Sequence, residues 1–244
     1  MGLRRFRDNN WIKQPVIEDH SHDLVGDWAT KSNADYCIAS IRKSLPISEG
    51  GILWSPKKRS LPDPPVATSQ NSVLSAMRWD AMKLKADYLD GKNHDRITWR
   101  NEFIKSEEMF DTLPISKISI DAWNILDEID VQDWYDRKKH NWEKMQELAT
   151  ADVMILQPEH ENANPFSLVL VFASEEIREK VRNVLIKRQT VYPAVLWTLP
   201  KTADAKSRSI STSMLSIHCD GRYDNDLDEM IVRIREGIQI AKSL

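Results

Sequence analysis

Short apolar runs that lead into ionisable residues mark the first quarter of the chain. Residues 15–19 (PVIED) end at Asp19, and residues 34–40 (ADYCIAS) lead towards Lys43. Buried parallel strands have this short and nearly continuous apolar pattern. The sequence therefore predicts two neighbouring strands, and the glycine pair in residues 50–54 (GGILW) predicts a bend before a third strand that runs back against them.

Helical periodicity follows, and a mixed pattern closes the chain. Apolar residues recur at three- and four-residue steps in residues 73–88, 98–111 and 133–149, which predicts three helices. Further strands are predicted at residues 153–156, 167–172, 191–197 and 214–219, with helices beginning after Ser174 and near Asp226. The predicted fold class is α/β, with a partial sheet and connecting helices followed by a small two-layer α/β domain at the C-terminal end.

Composition excludes several classes of protein. The chain has 244 residues and a formal net charge of -3, so it lacks the basic footprint of a nucleic-acid partner. Nothing resembles a signal peptide and no apolar run could cross a bilayer, which predicts a cytoplasmic protein with no membrane partner. Both cysteines, Cys37 and Cys219, lie in apolar runs and are predicted to be buried thiols.

Asp19 and Lys43 are the sharpest candidates for chemistry. Ligands of open α/β sheets bind outside the carboxyl ends of the parallel strands, where these two residues would lie side by side. A carboxylate and an amine at that distance suit a pyridine aldehyde cofactor, since the amine forms a Schiff base and the carboxylate keeps the ring nitrogen protonated. The alternatives are a solvated strand-end lysine and a helix-capping or salt-bridged aspartate.

The same segments carry a resemblance to a known family. Residues 16–24 followed by residues 40–51 resemble the large-domain site of fold type I pyridoxal-phosphate enzymes, closest to the sugar-aminotransferase-like branch of the aspartate aminotransferase superfamily. Residues 191–197 (VYPAVLW) and 214–223 (MLSIHCDGRY) resemble the family's small-domain strands. The resemblance implies a pyridoxal 5'-phosphate cofactor, with Asp19 on the pyridine nitrogen and Lys43 forming the internal aldimine.

The resemblance also implies roles around the cofactor phosphate. Ser40 matches a serine that donates its hydroxyl to this phosphate in parts of the family. Aspartate-type members have an arginine eight residues beyond the lysine, where this chain has Gly51. Arg42, or a residue of another subunit, would then supply the missing charge.

Two further residues are candidates with alternatives of similar weight. His22 falls where the sugar-aminotransferase branch has a residue near the cofactor's 3-hydroxyl, but it could equally be a strand-end histidine bonded to local backbone. Arg222 could bind a substrate carboxylate, or it could form a structural ion pair with Asp220 or Asp224.

The resemblance further implies that the chain is the C-terminal portion of such an enzyme. Family members carry a long segment before the aspartate strand that binds the phosphate, whereas residues 1–14 here resemble the end of the preceding helix. Residues 1–130 would be the remainder of the cofactor-binding large domain, and residues 131–244 an interdomain helix with the small domain. The expected partners are amino-donor and keto-acceptor substrates, with a homodimer or another chain supplying the N-terminal half. A non-catalytic remnant or interaction subunit is the alternative.

A metal site is not predicted. His20 and His22 form an H-x-H pair at a strand end, which is a known ligand arrangement. The other four histidines lack ligand spacing. A metal hydrolase that uses Asp19, His20 and His22 is therefore the weakest reading.

Overall fold

The computed structural model describes residue 3 and residues 8–63, 65–92, 95–160, 162–195, 199–223 and 226–244. These residues form six strands and eight α-helices. The strands are β1 (Ile17–Asp19), β2 (Tyr36–Ala39), β3 (Ile52–Trp54), β4 (Met154–Ile155), β5 (Ser167–Val171) and β6 (Met214–His218). The helices are α1 (Asp27–Thr30), α2 (Ser69–Leu89), α3 (Arg96–Thr112), α4 (Ile120–Glu128), α5 (Val131–Lys144), α6 (Glu175–Arg188), α7 (Ala205–Ser213) and α8 (Asp226–Lys242).

The chain divides into two compact units. The N-terminal unit comprises Asp8–Leu24 and Lys31–Asp130. The C-terminal unit comprises Val25–Thr30 and Val131–Leu244, and Leu3 packs against its sheet. The predicted assignment of residues 1–130 and 131–244 to a cofactor domain and a small domain stays a prediction.

The sheet of the N-terminal unit has the order β1-β2-β3. Strand β1 is parallel to β2, and β3 runs antiparallel to β2, which confirms the three strands predicted from the apolar runs and the glycine bend. Successive strand residues face opposite sides of a sheet. Glu18 therefore lies with its neighbour Cys37 on the covered face, and Asp19 lies with its neighbour Ile38 on the open face.

Helices α2, α3 and α4 complete this unit, and each begins at a polar cap. The side chains of Thr68, Asp95 and Ser119 accept hydrogen bonds from backbone N–H groups of the first turns. Helix α4 was not predicted, because nine residues are too few for a periodic signal. The aromatic residues Trp99 and Phe103 of α3 are half-buried.

The C-terminal unit is built on the antiparallel sheet β4-β5-β6, all of whose strands were predicted. Strand β5 is buried along its whole length. Residues of α6 and α8, including Val181, Leu185 and Ile234, pack with this sheet in one apolar core. Helix α6 begins after Ser174, as predicted, and the Ser174 side chain caps it, while Ile177 in its first turn is exposed.

Two regions differ from the sequence predictions or lie outside what is described. Residues 191–195 were predicted as the start of a strand but form only an isolated bridge between Ala194 and Ser216. Pro193 lacks the backbone N–H that a ladder needs, which explains the difference. Residues 196–198, and most of the helix tail predicted at the N-terminus, lie outside the described residues. Among the described residues, no helix is long and apolar enough to cross a membrane.

Candidate functional site

The candidate site lies at the carboxyl ends of β1 and β2. Asp19 is the last residue of β1, and Lys43 ends a single turn of 3-10 helix, Ile41–Lys43, that follows β2 directly. The backbone N–H of His20 donates to the carbonyl of Ile38 at 2.8 Å, so the two strands stay paired up to their ends. Parallel pairing therefore brings both segments to one edge of the sheet, as the sequence predicted.

Ser21 orders the carboxylate of Asp19. Its backbone N–H and its hydroxyl both donate to Asp19 Oδ1, at 2.9 and 2.6 Å. The same hydroxyl accepts a hydrogen bond of 2.8 Å from the backbone N–H of Ser40. Within the described ranges no hydrogen bond reaches Asp19 Oδ2. Oδ1 is thus held in place, while Oδ2 can accept a hydrogen bond from a ligand.

The charge state of Asp19 follows from these neighbours. Burial acts to raise the pKa of this carboxyl, but the hydrogen bonds from Ser21 and the positive charges of Lys43 and His22 outweigh it and lower the pKa below its ordinary value. Asp19 is therefore ionised at neutral pH. The charge of Lys43 contributes to the lowered pKa of Asp19, and the predicted side-by-side placement of the two side chains stays a prediction.

We expect Ser21→Ala to raise the pKa of Asp19, because the substitution removes one of two hydrogen bonds that favour the carboxylate. A pH titration of the Asp19 carboxyl by carbon-13 NMR measures this pKa. Ser44→Ala is the control, since the Ser44 hydroxyl bonds the carbonyl of Ser21 and not Asp19. An Asp19 pKa that is the same in Ser21→Ala and in the unmodified protein would contradict this assignment.

Lys43 and Ser40 present unengaged polar groups at this edge. In the part of the chain that the structure describes, neither the Lys43 amine nor the Ser40 hydroxyl has a side-chain hydrogen bond or ion pair. The turn that carries them is nevertheless held, because the backbone N–H of Ile41 donates to the carbonyl of Gly50 at 3.2 Å. Ser44 Oγ also donates to the carbonyl of Ser21 at 3.0 Å.

A glycine is required at position 50, where the chain packs against the turn Ile41–Lys43. Its φ is +124°, and a Cβ at this position would lie 2.9 Å from Ile41 Cδ1 and 3.0 Å from Ile118 Cδ1. We expect Gly50→Ala to lower the free energy of unfolding by about 1–3 kcal/mol, measured by denaturant titration. Gly91→Ala is the matched control: its φ is +71° and nothing lies within 4 Å of the added Cβ. An equal loss in both variants would contradict the role of close packing at Gly50.

Arg42 is engaged by a residue far along the chain. Its guanidinium donates two hydrogen bonds of 3.0 Å to Glu107 and lies over the ring of Phe110. Glu107 also pairs with Arg78 at 2.8 Å. Arg78 is buried, and its guanidinium bonds Ser106 as well. The arginine that was predicted to assist a phosphate thus anchors the Lys43 turn to α2 and α3.

The remaining predicted residues have different surroundings. His22 is half-buried, and it contributes to the lowered pKa of Asp19. Arg222 belongs to the C-terminal unit and forms a two-point ion pair with Asp220, with Nε–Oδ1 and Nη2–Oδ2 distances of 2.9 and 2.5 Å. This pairing is one of the alternatives considered for Arg222, while Asp224 lies outside the described residues. Substrate binding by Arg222 stays a prediction.

A buried polar cluster lies beneath the site and was not predicted. Glu18, His20 and Cys37 occupy the covered face of the sheet, and His20 Nε2 is 3.2 Å from Glu18 Oε2. Burial lowers the pKa of His20 despite the attraction of Glu18, so the imidazole is neutral. No local sequence signal places Cys37 next to Glu18 and His20. By contrast, the Asp-x-Ser spacing of Asp19 and Ser21 is a local signal that could have revealed the role of Ser21.

No protein-family model and no curated protein matches the sequence. Solved structures do match. A candidate sugar aminotransferase from Streptococcus pneumoniae, in its PMP form, aligns at 13% identity with a TM-score of 0.58, covering 93% of this chain and 58% of the other. A DegT/DnrJ/EryC1/StrS aminotransferase from Brucella abortus aligns at 12% identity with a TM-score of 0.50, covering 90% of this chain and 56% of the other.

These likenesses concern the fold, and they confirm the predicted mixed α/β class with its two small sheets. This chain spans a little over half the length of these structures. It has the fold of a corresponding part of pyridoxal-phosphate enzymes of fold type I, as the sequence resemblance predicted.

Proposed function

We propose that the chain is the C-terminal part of a pyridoxal-phosphate-dependent aminotransferase-like enzyme, in which Lys43 holds the cofactor aldehyde and Asp19 pairs with the pyridine nitrogen. The observation that carries the proposal is the ionised Asp19, whose Oδ2 accepts no hydrogen bond from the described residues and whose pKa is lowered in part by the charge of Lys43. The fold shared with PLP- and PMP-form structures supports it.

The residues present fit this cofactor at its ring and its aldehyde. When bound, pyridoxal phosphate supplies an electron sink for negative charge at a substrate carbon. Asp19 holds the proton on the ring nitrogen, which preserves the electron demand of the ring. Lys43 Nζ takes the proton from the substrate α-carbon and returns it during the reaction as general base and acid. Among the described residues no side chain competes for the Lys43 amine, which leaves the amine available for both roles.

At the phosphate the proposal rests on fewer groups. The Ser40 hydroxyl, which has no partner among the described residues, would donate a hydrogen bond to the phosphate. Arg42 contributes positive charge, and a direct contact requires that it exchange part of its bond to Glu107 for the phosphate. His22 would contact the 3-hydroxyl group of the ring, and Arg222 would receive a substrate carboxylate only if it released Asp220.

Trapping the cofactor on the unmodified chain tests this proposal. The protein is incubated with pyridoxal phosphate, reduced with borohydride, and mapped by peptide mass spectrometry. We expect one predominant label, on Lys43. A label spread over the exposed lysines, such as Lys57 and Lys83, or no label at all, would contradict the proposal.

The open face of the N-terminal sheet supports a partner. Ile17 is 64% exposed, and Ile38 and Leu53 are also exposed. All three lie on the sheet face that carries Asp19, where Ile38 is the register partner of Asp19. In the part of the chain that the structure describes, no further strand pairs with the outer strands β1 and β3, and exposed apolar side chains on such a sheet favour association. We propose that a second copy or another chain covers this face and supplies groups that bind the cofactor phosphate.

The same surface favours a second candidate function, a non-catalytic interaction subunit. The two candidates differ in what Lys43 does, because an interaction subunit needs no cofactor on this residue. Sedimentation of the chain with and without pyridoxal phosphate, combined with the trapping experiment, separates them. A stable complex with no label on Lys43 would favour the interaction subunit, and a compact monomer would contradict it.

A further inference from the structure

Three metal-ligand side chains of different kinds meet on the covered face of the N-terminal sheet. Glu18, His20 and Cys37 are all buried, and one ligand atom from each lies within 4.8 Å of the other two. Glu18 and Cys37 are register partners on β1 and β2, and His20 follows two residues after Glu18 on the same side. The pairing of the two strands therefore fixes the cluster.

We propose that Glu18, His20 and Cys37 bind a divalent transition-metal ion, with zinc the ion that this ligand set suits best. Zinc takes carboxylate oxygen, imidazole nitrogen and thiolate sulfur together in tetrahedral sites. The proposal does not depend on the cofactor, because Asp19 faces the opposite side of the sheet.

The observed separations are close to those that a tetrahedral ion requires. With zinc bonds of about 2.1 Å to nitrogen and oxygen, two such ligand atoms lie about 3.4 Å apart. His20 Nε2 and Glu18 Oε2 are 3.2 Å apart. The sulfur of a third ligand would lie about 3.6 Å from each of them. Cys37 Sγ lies within 4.8 Å of a ring nitrogen of His20 and of a carboxylate oxygen of Glu18, so a shift of about 1.2 Å or less completes three ligands.

Neighbouring side chains orient these ligands. Asn9 Nδ2 donates to Glu18 Oε1 at 2.6 Å, which leaves Oε2 on the side of the cluster. The rings of His20 and Trp54 lie 5.4 Å apart, and this contact holds the imidazole in place. Hydrogen bonds and packing of this kind around metal ligands fix their orientation and strengthen binding.

Ser32 is the nearest candidate for a fourth ligand among the residues that contact Glu18 and Cys37. Its Oγ lies 2.6 Å from Glu18 Oε2 and 3.4 Å from Cys37 Sγ. In the structure this hydroxyl donates to the carboxylate and accepts from the thiol. When an ion binds, Ser32 coordinates it or holds the water that does.

The charges of the ligand side chains suit a divalent ion. Glu18 is a buried carboxylate whose oxygens accept hydrogen bonds from Asn9 and Ser32. A divalent ion balances the carboxylate and the thiolate of Cys37, which releases its proton to solvent on binding. The alternative is a hydrogen-bonded polar core that binds no ion.

Cobalt binding tests the proposal without the cofactor. The full chain is stripped with a chelator and titrated with Co²⁺ while the near-ultraviolet and visible spectra are recorded. We expect a thiolate-to-cobalt charge-transfer band that saturates at one ion per chain. Cys37→Ser should lose this band, and Cys219→Ser should keep it, because Cys219 is a buried thiol in the other compact unit. No band in the unmodified protein, or a band that survives Cys37→Ser, would overturn the proposal.

Protection of the thiol gives a second measurement that needs no variant. Alkylation of Cys37 and Cys219 is followed by mass spectrometry with and without Zn²⁺. At a zinc concentration 100 times the dissociation constant, the ion-free fraction and hence the Cys37 alkylation rate fall about 100-fold. The rate at Cys219 should not change. Equal rates at Cys37 in both conditions would overturn the proposal, whatever the outcome of cofactor trapping.

Discussion

Replacing Lys43 with alanine is expected to abolish covalent attachment of pyridoxal phosphate to the chain. Attachment needs an amine that reaches the cofactor aldehyde while Asp19 holds the ring, and alanine has no nucleophile. Lys43 ends the turn that follows β2, so no change in the sheet itself should accompany the substitution. The measurement is the mass of the borohydride-reduced protein, together with the visible absorbance before reduction.

Two further variants separate the amine from its charge and from general surface chemistry. Lys43→Arg keeps a positive charge near Asp19 but cannot form the covalent link, so it should fail to be labelled as Lys43→Ala does. Lys83→Ala removes an exposed lysine of α2 that pairs with Asp80, and it should leave labelling unchanged. Full labelling of Lys43→Ala would assign the attachment to another lysine and remove the main support for the proposed function.

The three strands of the sheet that carries the candidate site could be predicted from the sequence. Apolar runs of strand length predicted β1 and β2, and the glycine pair predicted the reversal before β3. These signals are local, since burial of a short strand and the backbone freedom of glycine depend on a few adjacent residues. The position of Asp19 next to the Lys43 turn then follows from parallel pairing.

Contacts between distant residues could not be predicted in the same way. Glu107, which binds Arg42, lies 65 residues further along the chain on an exposed face of α3. The charge pattern of α3 is that of an ordinary solvated helix, so it gives no sign of the contact with Arg42. The strand predicted at residues 191–195 was wrong for a local reason. The apolar pattern of these residues favours a strand, but Pro193 removes a hydrogen bond that the ladder needs.

The buried cluster shows a further limit of sequence reasoning. A histidine pair at positions 20 and 22 suggested ligands on one segment, but His20 lies with Glu18 and Cys37 on the covered face. Side chains two residues apart along a strand lie on the same face, so the sequence alone could have placed Glu18 and His20 together. Cys37 joins them only through the strand register, and a shift of one residue would turn it to the other face.

Replacing Asp19 with asparagine is expected to weaken binding of pyridoxal phosphate about 10- to 100-fold. The amide still offers an oxygen to Ser21, but at the place of Oδ2 it presents an NH₂ group that cannot accept the proton of the pyridinium ring. A hydrogen bond to a charged group contributes about 1.5–3 kcal/mol, and about 1.4 kcal/mol corresponds to a factor of ten. An equilibrium titration with the cofactor measures the change.

Asp80→Asn is the control for Asp19→Asn, because it removes an exposed carboxylate of α2 in the same compact unit. Its affinity for the cofactor should equal that of the unmodified chain. The affinity of the unmodified chain should also fall as the pH drops through the lowered pKa of Asp19, since the protonated carboxyl no longer pairs with the ring. Asp19→Asn should lack this fall. If its dissociation constant matched the unmodified value at every pH, the low pKa of Asp19 would reflect the packing of the strand end and not a ring-binding role.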